Sequence, residues 1–216
     1  MTGSKGYRPK GPDGLEGVMA WIETHTREVM WLALAVVAAA GGVWFYFKSQ
    51  AAQARNAANA LVEAEQAVAS QNMPLAQANL ERLVKRYPDM EPGKVGMVLL
   101  AQVHYQKGEF QAGIEAIKPL TKADDPFFTA QALGLTGAGY EQLHKYAEAA
   151  ASYRSAADKA RFESDKAIYL SSAARNLVAA GQVNDAKGIY ASLASDPNGP
   201  AAAEARVRLG ELNARN

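Results

Sequence analysis

The stretch Gly137–Ala156, GAGYEQLHKYAEAAASYRSA, sets small, aromatic, aromatic, small, aromatic and small residues at Gly137, Tyr140, Tyr146, Ala149, Tyr153 and Ala156. Steps of three and four bring side chains to one face of a helix. The wider gap between Tyr140 and Tyr146 holds His144-Lys145, at a turn leading into the second helix. The stretch therefore reads as a helix end, a turn and a second helix packed back on the first. The same place is filled by Gly108-Glu109-Phe110-Gln111-Ala112-Gly113-Ile114 and by Gly181-Gln182-Val183-Asn184-Asp185-Ala186-Lys187, with a weaker copy from Gln71. The small residues Ala76, Gly113, Ala149 and Ala186 follow one another at intervals of 37, 36 and 37 residues. A fixed period of this size marks a stack of like units.

Outward from that stretch, residues 48–199 are rich in Ala, Leu, Gln, Glu and Lys, which favour helix. Pro74, Pro88, Pro92, Pro119, Pro126, Pro197 and Pro200 stand at breaks between apolar helical patterns. The domain reads as all-α. Its units resemble the tetratricopeptide (TPR) repeat, a helix–turn–helix of about 34 residues. Gly137 to Ala156 fits that family's signature position by position. The second copy offers Ala101, His104, Phe110, Gly113, Ile117 and Leu120, and the fourth Ala174, Leu177, Val183, Ala186, Tyr190 and Leu193. The first is the most divergent, with Ala64, Ala67, Met73, Ala76, Leu80 and Leu83 before Pro88. One helical hairpin cannot bury its apolar face, whereas several stacked hairpins close a continuous core. The expected architecture is thus a TPR-like α-solenoid of about four helical hairpins. Residues 200–216 should form a capping helix with Ala203, Val207, Leu209 and Leu212 apolar and Arg206, Arg208 and Glu211 in water.

Ahead of the repeats, Val29–Phe47 (VMWLALAVVAAAGGVWFYF) carries no charge, Asn, Gln, Ser or Pro. Nineteen residues at about 1.5 Å each roughly match a bilayer's hydrocarbon core. Trp31 at one end and Trp44, Phe45, Tyr46 and Phe47 at the other suit an interfacial belt. A cleaved signal would have a shorter apolar run and a small-residue cleavage site, so the segment reads as an uncleaved transmembrane helix over 29–47. Lys5, Arg8, Lys10 and Arg27 precede it, against Lys48 and Arg55 shortly after. The positive-inside rule then keeps the N-terminus in the cytoplasm and exports the domain. Residues 1–14 read as a flexible tail. Residues 15–28 read as an amphipathic juxtamembrane segment, with Leu15, Val18, Met19 and Ile22 on one face beside Trp21. That segment either lies in the interface or extends the membrane helix.

Little in the chain points to chemistry. It has no cysteine, which excludes disulfides, thiolate metal sites and a cysteine nucleophile. Beyond Phe47 there are nineteen basic and eighteen acidic residues, without the basic stripe a nucleic-acid partner would need. His25, His104 and His144 are far apart in sequence, and two of them hold repeat or turn positions. Phosphate-loop and serine-elbow motifs are absent. Gly134, Gly137 and Gly139 have no preceding strand and are expected to permit close helix packing rather than nucleotide binding. Asp124 and Asp125 precede Pro126, where a helix cap is the ordinary role. The chain is therefore read as a non-enzyme with no cofactor and no metal, no nucleic-acid partner and no small-molecule substrate.

The TPR resemblance implies a groove lined by the first helices of successive hairpins. Carried onto this sequence, its positions are Val98, Gln102 and Tyr105; Gln131, Gly134, Ala138 and Glu141; and Ser171, Arg175 and Val178. With Arg175 the one strong cation among them, a partly apolar groove suits a hydrophobic segment or a partner's helix. The layout of a short lead, one span and an alanine-rich helix (Ala51–Ala69) opening the repeats resembles the ancillary SecYEG translocon subunit, the YfgM-like family. That resemblance implies a bacterial inner-membrane protein whose periplasmic domain meets the secretion channel or periplasmic chaperones. The alternatives are a scaffold or accessory subunit of another membrane complex, or a cytoplasmic-facing adaptor of inverted topology.

Overall fold

The structure is a computed structural model, and it describes residues 14–214. The expected tail over 1–14 lies almost wholly outside the described residues; its last residue, Gly14, opens the first helix. The described residues form ten α-helices and one 3-10 turn, without strands. In chain order they are α1 (Gly14–Thr24), α2 (Thr26–Ala69), α3 (Met73–Arg86), α4 (Glu91–Gln106) and α5 (Phe110–Ile117), then the 3-10 turn Lys118–Lys122. There follow α6 (Pro126–Gln142), α7 (Tyr146–Lys159), α8 (Glu163–Ala179), α9 (Val183–Ser195) and α10 (Ala202–Ala214). The chain divides at Gln53 into two compact units.

In the first unit, α2 is long and apolar enough to cross a membrane. Trp31, Leu32, Leu34, Val36, Val37, Val43 and Trp44 to Phe47 are all exposed. The helix that carries the expected span 29–47 is longer than the span itself. The helix begins before residue 29 and does not stop at 47, because Lys48 to Ala69 contains no proline or glycine to end it. The juxtamembrane segment is likewise shared between two helices. His25 takes a one-residue turn between α1 and α2. The Trp21 carbonyl accepts from the His25 backbone N–H, from His25 Nδ1 and from Thr24 Oγ1, each at 3.0 Å. Trp21 also stacks on the His25 ring, with centroids 4.8 Å apart. Side-chain donors competing for a backbone carbonyl favour such a break. Val18, Met19 and Ile22 remain exposed on α1.

The second unit is the repeat. Residues 57–69 of α2 pair with α3, then α4 with α5, α6 with α7, and α8 with α9. Each hairpin turn has three residues: 70–72, 107–109, 143–145 and 180–182. Each places its second residue at positive φ, namely Gln71 (57°), Gly108 (76°), His144 (57°) and Gly181 (78°). The following N–H reaches back to the last turn of the first helix, in Asn72→Ala67, Glu109→His104, Lys145→Tyr140 and Gln182→Leu177, at 2.8–3.0 Å. These are Schellman caps, which satisfy the last carbonyls of the first helix. The next helix starts from the same turn: the carbonyls of Asn72, Glu109, Lys145 and Gln182 accept from Ala76, Gly113, Ala149 and Ala186.

Surplus length over a 34-residue unit lies partly between hairpins. The connection after α5 is the longest, because Pro119 lacks the N–H that would continue the helix. Asp125 caps the next helix, its Oδ1 accepting from Phe127 N at 2.9 Å. Every signature position named for the four copies is buried or half-buried. Ala57, Ala64 and Ala67 meet Ala76, Leu80 and Leu83, while Ala174 and Leu177 meet Ala186 and Tyr190. Helices of 8 to 17 residues are marginal alone. The stacked core makes them stable, each buried leucine contributing about 1.5–3 kcal/mol.

The three glycines of α6 do what their spacing suggested. A Cβ at Gly137 would lie 3.0 Å from the Tyr153 ring, one at Gly134 2.5 Å from Tyr169, and one at Gly139 2.5 Å from the Tyr105 hydroxyl. A closing helix is present, with a buried face that differs in part from the expected one. Ala202, Ala205 and Leu212 are buried and Leu209 half-buried, whereas Val207 is 61% exposed and Ala203 is exposed. The helix opens at Ala202 rather than Pro200, and Ala205, Leu209 and Leu212 pack with Tyr190 of α9. Arg206, Arg208 and Glu211 do face water.

Candidate partner-binding groove

The ten expected groove residues separate into three groups, with Gly134 among the buried ones against Tyr169. Gln102 and Arg175 are exposed, and Gln131, Ala138, Glu141 and Val178 are half-buried at positions a partner could reach. Val98 and Ser171 are not so placed, at 5% and 8% exposure. Val98 belongs to the core with Ile117, Phe128 and Ala132, because α4 is enclosed on more than one face, also burying Gly93, Met97, Leu100, Val103 and His104. Tyr105 is the third case. Its hydroxyl donates to the Leu135 carbonyl at 2.8 Å, and its ring fills the space that Gly113 and Gly139 leave open. Tyr105 therefore pins α4 to α6 and is a packing residue. Burial pushes its hydroxyl up to about 12.

Glu141 centres a polar cluster joining α6, α7 and α8. Its Oε2 accepts from Tyr153 Oη at 3.2 Å and from Asn176 Nδ2 at 3.1 Å. Its Oε1 lies 3.7 Å from Arg175. Asn176 is buried and also donates to the Ser172 carbonyl at 2.9 Å. Burial, then the Glu141 charge, raises the Tyr153 hydroxyl above its ordinary range. The carboxylate is thus fixed by two neutral donors, and the half-exposed guanidinium is only loosely held.

Two cavities flank α8. One, of about 210 Å³, lies between α6 and α8 and is lined by Phe127, Gln131, Phe162 and Tyr169 with Arg161 and Asp165. Phe127 and Phe162 are 50% and 61% exposed, and Ile168 on α8 is 61% exposed. The other, of about 240 Å³, lies among α8, α9 and α10 and is lined by Arg175, Val178, Tyr190, Arg208, Glu211 and Leu212. Sequence reasoning found Gln131, Arg175 and Val178 of these linings and missed the rest. The Phe127–Phe128 pair did carry a signal: adjacent helical residues point about 100° apart, so on a helix enclosed on one side only one of the two rings meets the core. Phe128 is buried and Phe127 is not.

No group of three or more potential metal ligands occurs among the described residues. His104 Nδ1 lies 2.7 Å from Glu109 Oε2, and Lys107 Nζ 2.7 Å from Oε1, so this histidine serves the turn of its hairpin. Hydrogen bonds from Lys107 and His104 hold the Glu109 carboxyl below its ordinary range. His144 Nδ1 pairs with the Tyr146 hydroxyl at 2.7 Å in the next hairpin.

Four hairpins with one turn geometry and small residues at each crossing define a TPR-type repeat domain. A family model described as a tetratricopeptide repeat-like domain matches residues 19–114 and, overlapping, 57–172. The chain belongs to that family. Most of the fourth hairpin and the closing helix lie past the matched residues, yet the Gly181 turn repeats the geometry of Gly108. No curated protein sequence matches the chain. Tetratricopeptide-like repeats indicate a role in protein–protein interaction.

Proposed function

We propose that this protein is a non-catalytic, single-pass membrane adaptor that docks a segment of a protein partner in the groove between α6 and α8. The observation that carries the reading is the cavity walled by Gln131 and Tyr169 and flanked by Phe127 and Phe162, which stay exposed where the repeat core does not need them. Exposed aromatics around a concavity favour burial by a partner. The apolar part of α2 serves as the anchor, and the exposed Val18, Met19 and Trp21 of α1 suit the lipid interface. The charge bias across the span orients the N-terminus to the cytoplasm and the domain to the periplasm of a bacterial inner membrane. The layout's likeness to the translocon-associated family favours the secretion channel or a periplasmic chaperone as partner. Tethering raises the local concentration of the groove, so modest affinity suffices.

A photocrosslinking residue at Gln131 in the intact, membrane-bound protein tests this. Capture of one defined partner, lost in Phe127→Ser and Phe162→Ser while melting is unchanged, supports the groove. Capture indifferent to both substitutions removes it. Ser155→Cys, the one thiol in an otherwise cysteine-free chain, reports topology. Labelling by an impermeant maleimide from the periplasmic side agrees with export, and labelling only from the cytoplasm contradicts it.

A further inference from the structure

A polar cleft of about 370 Å³ lies in the first hairpin, between α2 and α3 and away from the α8 cavities. Asn56, Asn59 and Glu63 line it from α2, and Asn79, Arg82 and Arg86 from α3. Each set steps by three and then four residues, which keeps it on one face of its helix. The two faces run antiparallel. Asn79 Nδ2 donates to the Glu63 carbonyl at 3.5 Å, which puts Glu63 at that end of the cleft. Asn56 and Arg86 mark the other end, two helical turns or about 10 Å away. Both arginines lack an acidic partner. Arg82 Nε donates to the Ala78 carbonyl at 3.3 Å and its Nη2 to Asn79 Oδ1, all within α3. Arg86 lies over the Tyr87 ring, 5.5 Å from its centroid. Among the described residues neither forms an ion pair. Glu81, next to Arg82 in sequence, lies outside the lining and accepts from Gln77 at 2.8 Å. The α3 dipole favours cations in the last turn, which accounts for Lys85 and Arg86 but not for Arg82. Like charges one turn apart repel, and a bound anion between them removes that cost.

From this we infer that the cleft holds a phosphate group, that of an anionic phospholipid headgroup. Two guanidinium forks carry donors and no acceptor, and their planar geometry matches phosphate oxygens two at a time. The amides of Asn56 and Asn59 supply further donors from the facing helix. The source follows from the chain itself. Asn56 comes nine residues after Phe47, the last residue of the apolar run, on the same unbroken helix. That is about 14 Å of rise, of which the headgroup layer outside the hydrocarbon takes up about 5–7 Å. Long arginine side chains reach back toward such an interface. The inference rests on the reading of α2 as an anchor and is independent of the α6–α8 groove.

The test is native mass spectrometry of the full chain in detergent micelles, with phosphatidylglycerol or phosphatidylcholine added. The wild type should retain phosphatidylglycerol about fivefold more than phosphatidylcholine. Arg82→Gln and Arg86→Gln should each remove most of that preference with melting unchanged. Lys85→Gln, on the same helix but outside the cleft, should keep it. Arg82→Lys should restore only part, since an ammonium keeps the charge and loses the fork. Equal retention of the two lipids overturns the inference. So does a preference that falls as far in Lys85→Gln as in the arginine variants, because that is diffuse basic attraction and not a cleft. Displacement of phosphatidylglycerol by low-millimolar inorganic phosphate or glycerol 3-phosphate would assign the cleft to a soluble phosphate and overturn the lipid source. The anchor has its own readout, flotation of the chain with phosphatidylcholine vesicles after an alkaline carbonate wash. Flotation without a phosphatidylglycerol preference sinks the cleft alone, whereas loss of flotation sinks the anchor on which it rests.

Discussion

At the scale of single residues, Tyr105 carries most of what the inner face conceals. By family position it belongs to the groove; in the structure it is spent on holding two hairpins together. Tyr105→Ala removes a half-buried ring wedged between two glycines and should cost about 3 kcal/mol, seen as a lower denaturant midpoint. Tyr105→Phe keeps the ring and should cost only about 1 kcal/mol. The hydroxyl also gives a pH signature. Its folded value near 12 lies above the ordinary 10.0, so the fold favours the neutral form. That stability is fully present below about pH 10 and is lost as pH rises through about 12. The alkaline decline should be shallower in Tyr105→Phe, with Tyr153 accounting for part of what remains. A decline identical to the wild type would remove Tyr105 from this role. Sequence could not show the difference, since a tyrosine four residues after the core position Ala101 reads alike whether it meets a partner or the next helix. Gly113 on α5 and the glycines at 134, 137 and 139 on α6 were the available hint: helices with that much missing volume need large side chains from their neighbours to fill it.

At the scale of the helix and its turn, the repeat was legible because its period is enforced by backbone geometry as well as by packing. One left-handed residue recurs in each turn, and glycine fills only two of the four places. Gly108→Ala or Gly181→Ala should each lower stability by about 1 kcal/mol in thermal melts. Gln71→Gly should do the reverse, or at least cost nothing, because it relieves a left-handed glutamine. Equal losses at all four positions would contradict the common turn geometry. Less legible were the ends of helices. The membrane segment and the first repeat helix form one α2, since the sequence between them contains nothing that stops a helix. The closing helix kept Leu209 and Leu212 inward as expected, but buried Ala202 and Ala205 in place of Ala203 and Val207. Where the buried face is mostly alanine, hydrophobic spacing alone does not fix the rotation of a helix.

At the scale of the whole molecule, a solenoid is stabilised by neighbour on neighbour, so its last unit depends on its cap. Deleting residues 200–216 exposes Tyr190 and Leu177 at the end of the stack. The expected result is loss of amide protection in α8 and α9 with α4 to α6 little changed; uniform loss would mean the repeats fold as one indivisible block. The overall class was plain from periodicity and composition, whereas the inner face was not. Which first-helix residues reach solvent depends on how far each hairpin is rotated on the last, and no local pattern encodes that angle. Hence Val98 and Ser171 went inward while Phe127, Phe162 and Ile168 stayed out. The central claim is that this exposed set around α8 is where a partner sits. Hydrogen exchange on the intact protein in membranes, with and without the partner captured at Gln131, tests it most directly. The account predicts new protection in the first turns of α6 and α8 and at Val178, with α5, α7 and α9 unchanged. Protection confined to α5, α7 and α9 would place the partner on the opposite face and contradict it.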